Sequence, residues 1–310
     1  MPPTLNRMMT PAEWAMLVTL ALLWGGSYFY IAIAIKVLPA LVIVAFRVVA
    51  GAALLYIAVR ATGHAMPRDI ASWRGYFVMG FLNNVVPFSL IAWAQGHVAS
   101  GLAAILNATT PLFAVVFAHY LTGDERMTAG RVAGLIVGFI GVVVMIGPDA
   151  LSGMSTDLVA ELALLLASVF YAVSPIYARR FGRAGHAPIV SATGQFTAAA
   201  VMMVPLALVI DRPWTLAMPG ADVWAALIAL ATLSSAVAYI IYYRLLKTAG
   251  AVNLLLVTFL VPVSAILLGA IFLHERLAPA DFAGMALIAL GLAAIDGRPL
   301  RLLTRRHARA

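Results

Sequence analysis

The stretch SGLAAILNATTPLFAVVFAHYLTGDERMTAGRVAGLIVGFIG, Ser100–Gly141, comes back in altered form later in the chain. The second version is GAVNLLLVTFLVPVSAILLGAIFLHERLAPADFAGMALIALG, Gly250–Gly291. Pro111 matches Pro262, and Glu125-Arg126 matches Glu275-Arg276. Gly134, Gly141 and Gly147 match Gly284, Gly291 and Gly297. One residue of length difference lies between the proline and the Glu-Arg pair. Self-similarity of this kind marks an architecture built from two copies of one unit. Each copy is apolar almost throughout.

Of the 310 residues, 64% are hydrophobic and 10% charged, with a mean hydropathy of +1.00. Soluble domains carry about 25% charged residues, so the composition belongs to an integral membrane protein. The net charge of +8 and pI of about 10.1 would point to nucleic acid in a soluble chain. Here the basic residues fall in short loops and a tail, where they report topology instead, and no nucleic-acid partner is expected. The chain has no cysteine, which excludes disulfides, thiolate catalysis and Cys-based metal sites. The first apolar run, Trp14–Ile35, is too long for a signal-peptide core and has no obvious cleavage site. It reads as a retained span.

A helix crossing about 30 Å of hydrocarbon needs about 20 apolar residues. Polar, Gly and Pro punctuation yields ten such runs: 13–35, 38–60, 72–94, 100–121, 128–147, 157–178, 187–209, 222–246, 249–272 and 280–297. They do not alternate apolar with polar, which argues against a β-barrel. With both termini in the cytoplasm, Lys36, Arg212 and Arg276 fall outside and Arg47 lies within a span. The other 16 of the 20 Lys and Arg fall inside. The positive-inside rule selects that orientation.

The expected fold is therefore an all-α polytopic membrane protein of ten transmembrane helices in two five-helix repeats. The repeats are 1–147 and 157–297, joined by a loop at 148–156 and followed by a basic cytoplasmic tail at 298–310. Five is odd, so the second copy enters the membrane from the opposite face. Inverted repeats of this kind are common in secondary transporters, where two exchangeable states open around a midplane site. A static scaffold left by an old duplication is the alternative.

The acids and histidines all lie in loops or within a turn or two of a span end. Proton-driven carriers often hold an intramembrane Asp, Glu or His, so weak coupling or none is expected. There is no H-E-x-x-H, P-loop or G-x-S-x-G motif. No catalytic residue, metal site or cofactor is expected, and an enzyme is disfavoured.

Arg47 is the only formal charge deep in a span. Two readings stand for it: a cation for an anionic group of the cargo, or a structural arginine bonding carbonyls or facing a water-filled vestibule. Burial at that depth costs at least about 2.5 kcal/mol. Pro111 and Pro262 interrupt their helices and free the carbonyls of Asn107 and Thr258, each of which also carries a polar side chain. The third span holds Asn83, Asn84, Pro87 and Phe88. The eighth answers with Ser234, Ser235 and Tyr239, but with Val237 where the third has its proline. The first span holds Trp24, Ser27 and Tyr28, and the sixth holds Ser168, Tyr171 and Ser174. Cavity lining and internal packing are both open for these. Gly130, Gly134 and Gly138 allow close helix approach, within the repeat or in a dimer, so monomer and homodimer are both open. The basic tail can touch lipid headgroups or simply anchor.

The segment LLWGGSYF, the pair Phe46-Arg47, and the Pro…Glu-Arg…Gly pattern ending both halves resemble the EamA branch of the drug/metabolite transporter superfamily. The likeness runs over nearly the whole chain and is greatest to the bacterial amino-acid and metabolite exporters. It implies a multi-pass inner-membrane carrier working by alternating access, with a cavity between its halves. The substrate it implies is a neutral or aromatic amino acid or related metabolite. Another metabolite or drug on the same fold, or a channel-like facilitator, stays open. The site residues expected are Trp24, Ser27, Tyr28, Arg47, Asn83, Asn84, Phe88, Asn107, Tyr171, Ser234, Tyr239 and Thr258, with helix breaks at Pro87, Pro111 and Pro262.

Overall fold

The structure, a computed structural model, describes residues 9–121, 129–146, 156–183, 185–249, 251–254 and 256–296. The Glu125-Arg126 pair, nearly all of the 148–156 connection and the basic tail lie outside the described residues. Among the described residues there is no strand. Lipid leaves the backbone no hydrogen-bonding partner, so a spanning segment must close its own bonds as a helix.

The first half begins with α1 (Pro11–Ala34). A capping box starts it: Thr10 accepts from the Glu13 amide, and the Glu13 carboxylate reaches back to the Thr10 amide at 2.8 Å. α2 (Ala40–Ala61) follows, then α3 (Ile70–Gly80), capped by Asp69. α3 runs through a π-helical turn, Phe81–Val85, into α4 (Val86–Ala94). α5 (Ser100–Asn107), α6 (Thr110–Leu121) and α7 (Ala129–Ile146) complete the half. The second half comprises α8 (Thr156–Arg183), α9 (Pro188–Ile210), α10 (Ala221–Ala231), a π-helical turn at Thr232–Val237 and α11 (Ala238–Thr248). α12 (Ala251–Leu254), α13 (Val257–Phe272) and α14 (Pro279–Asp296) end it. Among the described residues, seven helical rods are long and apolar enough to cross a membrane. Three shorter apolar helices, Val132–Val144, Leu260–Phe272 and Pro279–Ala294, fall on the other three expected runs.

The two halves pack reciprocally. α2 lies on α9 and α7 on α14, each pairing an element with its own counterpart. α1 packs on α13, and its counterpart α8 packs on α5 and α6. α4 contacts α8, and correspondingly α10 and α11 contact α1. α3 meets α9 as α10 meets α2. A pseudo-two-fold relation between the halves requires this pattern.

The glycines show the relation at atomic scale. A Cβ on Gly141 would lie 2.7 Å from the Gly284 carbonyl oxygen, and one on Gly291 would lie 2.5 Å from the Gly134 carbonyl oxygen. Gly134 and Gly284 are matched positions, as are Gly141 and Gly291. The glycine stripe therefore does more than the within-repeat packing expected of it. Gly138 does face Leu112 of its own half, at 2.6 Å from a built Cβ, but the stripe also seats α7 directly on α14. A Cβ on Gly130 would meet nothing within 4 Å among the described residues.

Both halves also carry the π-helical turn. Pro87 follows the first, in the opening turn of α4, and its missing N–H favours an altered register there. The second has no proline, and Val237 closes it. The backbone distortion is thus shared although the sequences differ. The helix interruptions are less alike. Between α5 and α6 the break covers Ala108 and Thr109, with Pro111 in the next turn. In the second half the break comes before Val257, and Pro262 lies inside α13.

Candidate functional site

The two π-helical turns and the middles of α1, α2, α8 and α9 bring a polar and aromatic group together at the junction of the halves. Arg47 of α2 stands in it, 6% exposed. Its Nε donates to the Ser235 hydroxyl at 3.1 Å. That hydroxyl donates onward to the Leu230 carbonyl, also at 3.1 Å, so Ser235 bonds in both directions. The guanidinium carbon sits 3.8 Å from the centroid of the Phe88 ring, a cation–π contact that partly offsets lost hydration. Tyr171, Tyr239 and Tyr28 lie within electrostatic reach of the charge, and no carboxylate of the described residues does. Guanidinium has five N–H donors. The described residues engage only the one on Nε.

Asn83, in the first π-helical turn, donates from Nδ2 to the Tyr239 hydroxyl at 3.2 Å and accepts from the Ser174 hydroxyl at 3.1 Å. The Gln195 side chain also reaches Tyr239. Phe196 meets Tyr239 edge-on at 5.2 Å and Phe88 at 6.3 Å. Phe196 can lie across α2 because Gly51 has no side chain: a Cβ there would stand 3.0 Å from the ring. Trp24 closes the group, 6.4 Å from Tyr239 and 5.7 Å from Tyr242.

The freed carbonyl expected of Asn107 is present and occupied. It accepts from Thr110 Oγ1 at 2.7 Å and from Ser168 Oγ at 3.4 Å, while the Asn107 side chain reaches the Tyr28 hydroxyl. Asn84 is fully buried beside Asn83, and neither of its polar side-chain atoms has a partner among the described residues. An orphaned amide at depth calls for water or a ligand.

The structure thus draws Trp24, Tyr28, Arg47, Asn83, Phe88, Asn107, Tyr171 and Tyr239 into one connected group. Ser27 is buried next to Tyr28 on α1. Ser234 is engaged elsewhere: its hydroxyl donates to the Leu23 carbonyl at 2.6 Å and ties the second π-helical turn to α1. Thr258 sits half-buried at the start of α13, and no hydrogen bond among the described residues joins it to Arg47. Gln195 and Phe196 were missed by sequence reasoning. A lone glutamine inside the apolar run 187–209 was the available signal, since polar residues at depth are costly and purposeful.

The model of the EamA-like transporter family matches residues 13–147 and again 158–295. The chain belongs to the EamA-like transporter family. Each match covers one of the two halves, so the internal duplication is a duplication of the family's unit. Among relatives, the chain is 22% identical over 282 residues to the uncharacterized transporter YoaV of Bacillus subtilis, covering 89% of this chain and 94% of that one. It is 26% identical to the uncharacterized transporter YvbV of the same organism, over 91% of this chain and 90% of the relative. The uncharacterized inner membrane transporter YedA of Escherichia coli is 24% identical, over 89% and 88%. A solved crystal structure superposes with a TM-score of 0.64 at 22% identity, covering 92% of this chain and 97% of the other, which supports the fold. With its apolar helices, this EamA-like chain is a multi-pass protein of the bacterial inner membrane.

Proposed function

We propose that this EamA-like transporter is a secondary carrier that exports neutral or aromatic amino acids and related metabolites by alternating access. Both termini are cytoplasmic, ten helices span the membrane in two inverted halves, and the cargo sits between them. The observation that carries the reading is Arg47. It is a buried cation at the junction of the halves, ringed by aromatic rings, with most of its donors unused by the described residues. A carboxylate matches such a fork in charge and geometry. The rings of Trp24, Phe88, Phe196 and Tyr239 offer a wall for an apolar or aromatic side chain. The orphaned Asn84 amide can bond the cargo's amino or carboxylate group.

Rocking of one half against the other breaks and remakes contacts at this junction, which is how inverted repeats move cargo. No carboxylate among the described residues partners Arg47 to exchange a proton as the cycle turns, which supports uncoupled or weakly coupled transport. The test is flux of a panel of amino acids in reconstituted liposomes, with and without a pH gradient. Saturable flux and counterflow without a gradient are expected. Absence of flux for every amino acid overturns the cargo class, and a strict requirement for the gradient overturns the uncoupled mode.

A further inference from the structure

A second polar group lies at the end of the bundle where α1, α4 and α13 finish. Three loops meet there around a half-open cleft of about 320 Å³. Lys36, Gln95 and Glu275 supply its polar lining, and Ala32, Ile35 and Leu273 its apolar lining. Lys36 follows α1 and is exposed. Gln95 follows α4 and is only 6% exposed, yet neither its Oε1 nor its Nε2 has a hydrogen-bond partner among the described residues.

Glu275 comes from the other half and caps α5. Its Oε1 accepts from the Ser100 amide at 3.1 Å; its Oε2 accepts from the Ser100 hydroxyl at 2.7 Å and the Gly101 amide at 3.4 Å. A carboxylate has about four acceptor sites, so one remains after these three bonds.

We infer that this cleft is a second cargo subsite, for the zwitterionic backbone of an α-amino acid with a small aliphatic side chain. Lys36 takes the carboxylate, and Glu275 takes the ammonium through its remaining acceptor site. The unpartnered Gln95 amide lies just behind the cleft wall, and a turn of its side chain toward the cleft brings a donor and an acceptor to either group. One positive and one negative lining group match a ligand of no net charge. The volume falls at the low end of the ~300–1,000 Å³ typical of ligand sites, and the wall of Ala32, Ile35 and Leu273 suits an aliphatic side chain. The inference rests on the exporter reading above: in the orientation expected there, this end faces outward, where exported cargo departs.

The chain has only two lysines, Lys36 and Lys247, so amine modification gives a direct readout. The full-length protein in lipid discs free of ethanolamine lipid is treated with an amine-reactive ester, and both lysines are quantified by mass spectrometry. The Lys36-to-Lys247 ratio cancels reagent consumed by the ligand's own amine. L-leucine at ten times its Kd should lower the ratio about tenfold, and leucinol, which lacks the carboxylate, should leave it unchanged. In Gln95→Leu the leucine effect should be largely lost.

The subsite is overturned by an unchanged ratio with leucine, by an equal fall with leucinol, or by a full effect in Gln95→Leu. A ratio already low in discs containing ethanolamine lipid, and indifferent to leucine, assigns the cleft to a headgroup and also overturns it. Leucine counterflow by the same preparation separates the two readings. Counterflow with an unchanged ratio removes only the subsite. A leucine-dependent ratio without flux of any amino acid supports the subsite and removes the exporter reading.

Discussion

Substituting Gly291 by alanine tests the reciprocal packing that places the halves around Arg47. The new Cβ would stand 2.5 Å from the Gly134 carbonyl oxygen, 2.7 Å from the Gly138 amide nitrogen and 2.8 Å from the Gly138 Cα. All three are backbone atoms, so no side chain can rotate away. Reaching an ordinary contact of 3.4 Å requires α14 and α7 to separate by about 0.9 Å along the shortest approach. Overpacking of this kind costs about 1–3 kcal/mol. At about 2 °C per kcal/mol, the value reached by the largest domains, that corresponds to an apparent Tm lower by ~2–6 °C. Gly141→Ala meets the Gly284 carbonyl oxygen at 2.7 Å in the counterpart geometry and should behave alike. The double variant should lose less than the two single losses together, because a helix pair already separated admits the second methyl more easily. Gly130→Ala is the control: none of the described residues lies within 4 Å of its Cβ, and its stability should stay within ~1 kcal/mol of the parent. The assay is thermal unfolding of the purified proteins in one detergent. Gly291→Ala as stable as Gly130→Ala would refute the close α7–α14 contact.

Three further outcomes are expected. Asn84→Leu removes an amide that has no partner, so unfolding should become harder by about 1–3 kcal/mol while amino-acid flux falls; a flux gain would contradict a cargo role. Glu275→Ala strips the carboxylate from the start of α5 and should lower stability by about 1–2 kcal/mol, read by the same thermal assay. Asp69 caps α3, and the Ser72 amide, followed by the Ser72 hydroxyl, holds its carboxyl below the usual range. A lowered folded-state value stabilises fully above the unfolded pKa of about 3.9 and is lost as pH falls through the folded value. The stability gap between parent and Asp69→Ala should therefore be constant near neutrality and close in acid, and a gap that widens in acid would contradict the cap.

The fold was readable wherever the solvent constrains the sequence. Lipid demands long apolar helices, so the runs stand out, and the duplication survives in Pro111, Pro262 and the matched glycines. Partners across the halves were less readable, because they depend on packing between residues far apart in sequence. The glycine stripe announces a close contact without saying that α14 provides it. The second π-helical turn, Thr232–Val237, has no proline to announce it. In the candidate site, Arg47 and Asn83 stood out as polar residues in apolar runs. Ser234 and Ser235 look equivalent in sequence, yet one bonds a carbonyl of α1 and the other Arg47. A step of one residue turns a helical side chain by about 100°, so the choice between them rests on local backbone register, which the π-helical turn alters.

The most direct test of the central claim is transport of L-leucine and leucinol by Arg47→Met in liposomes, beside the parent. If the guanidinium holds the cargo carboxylate, the variant folds and its KM for leucine rises by about 10- to 150-fold, the equivalent of a hydrogen bond to a charged group at ~1.5–3 kcal/mol. Leucinol transport should be little changed. A folded Arg47→Met protein that moves leucine with the parent's KM would contradict the claim.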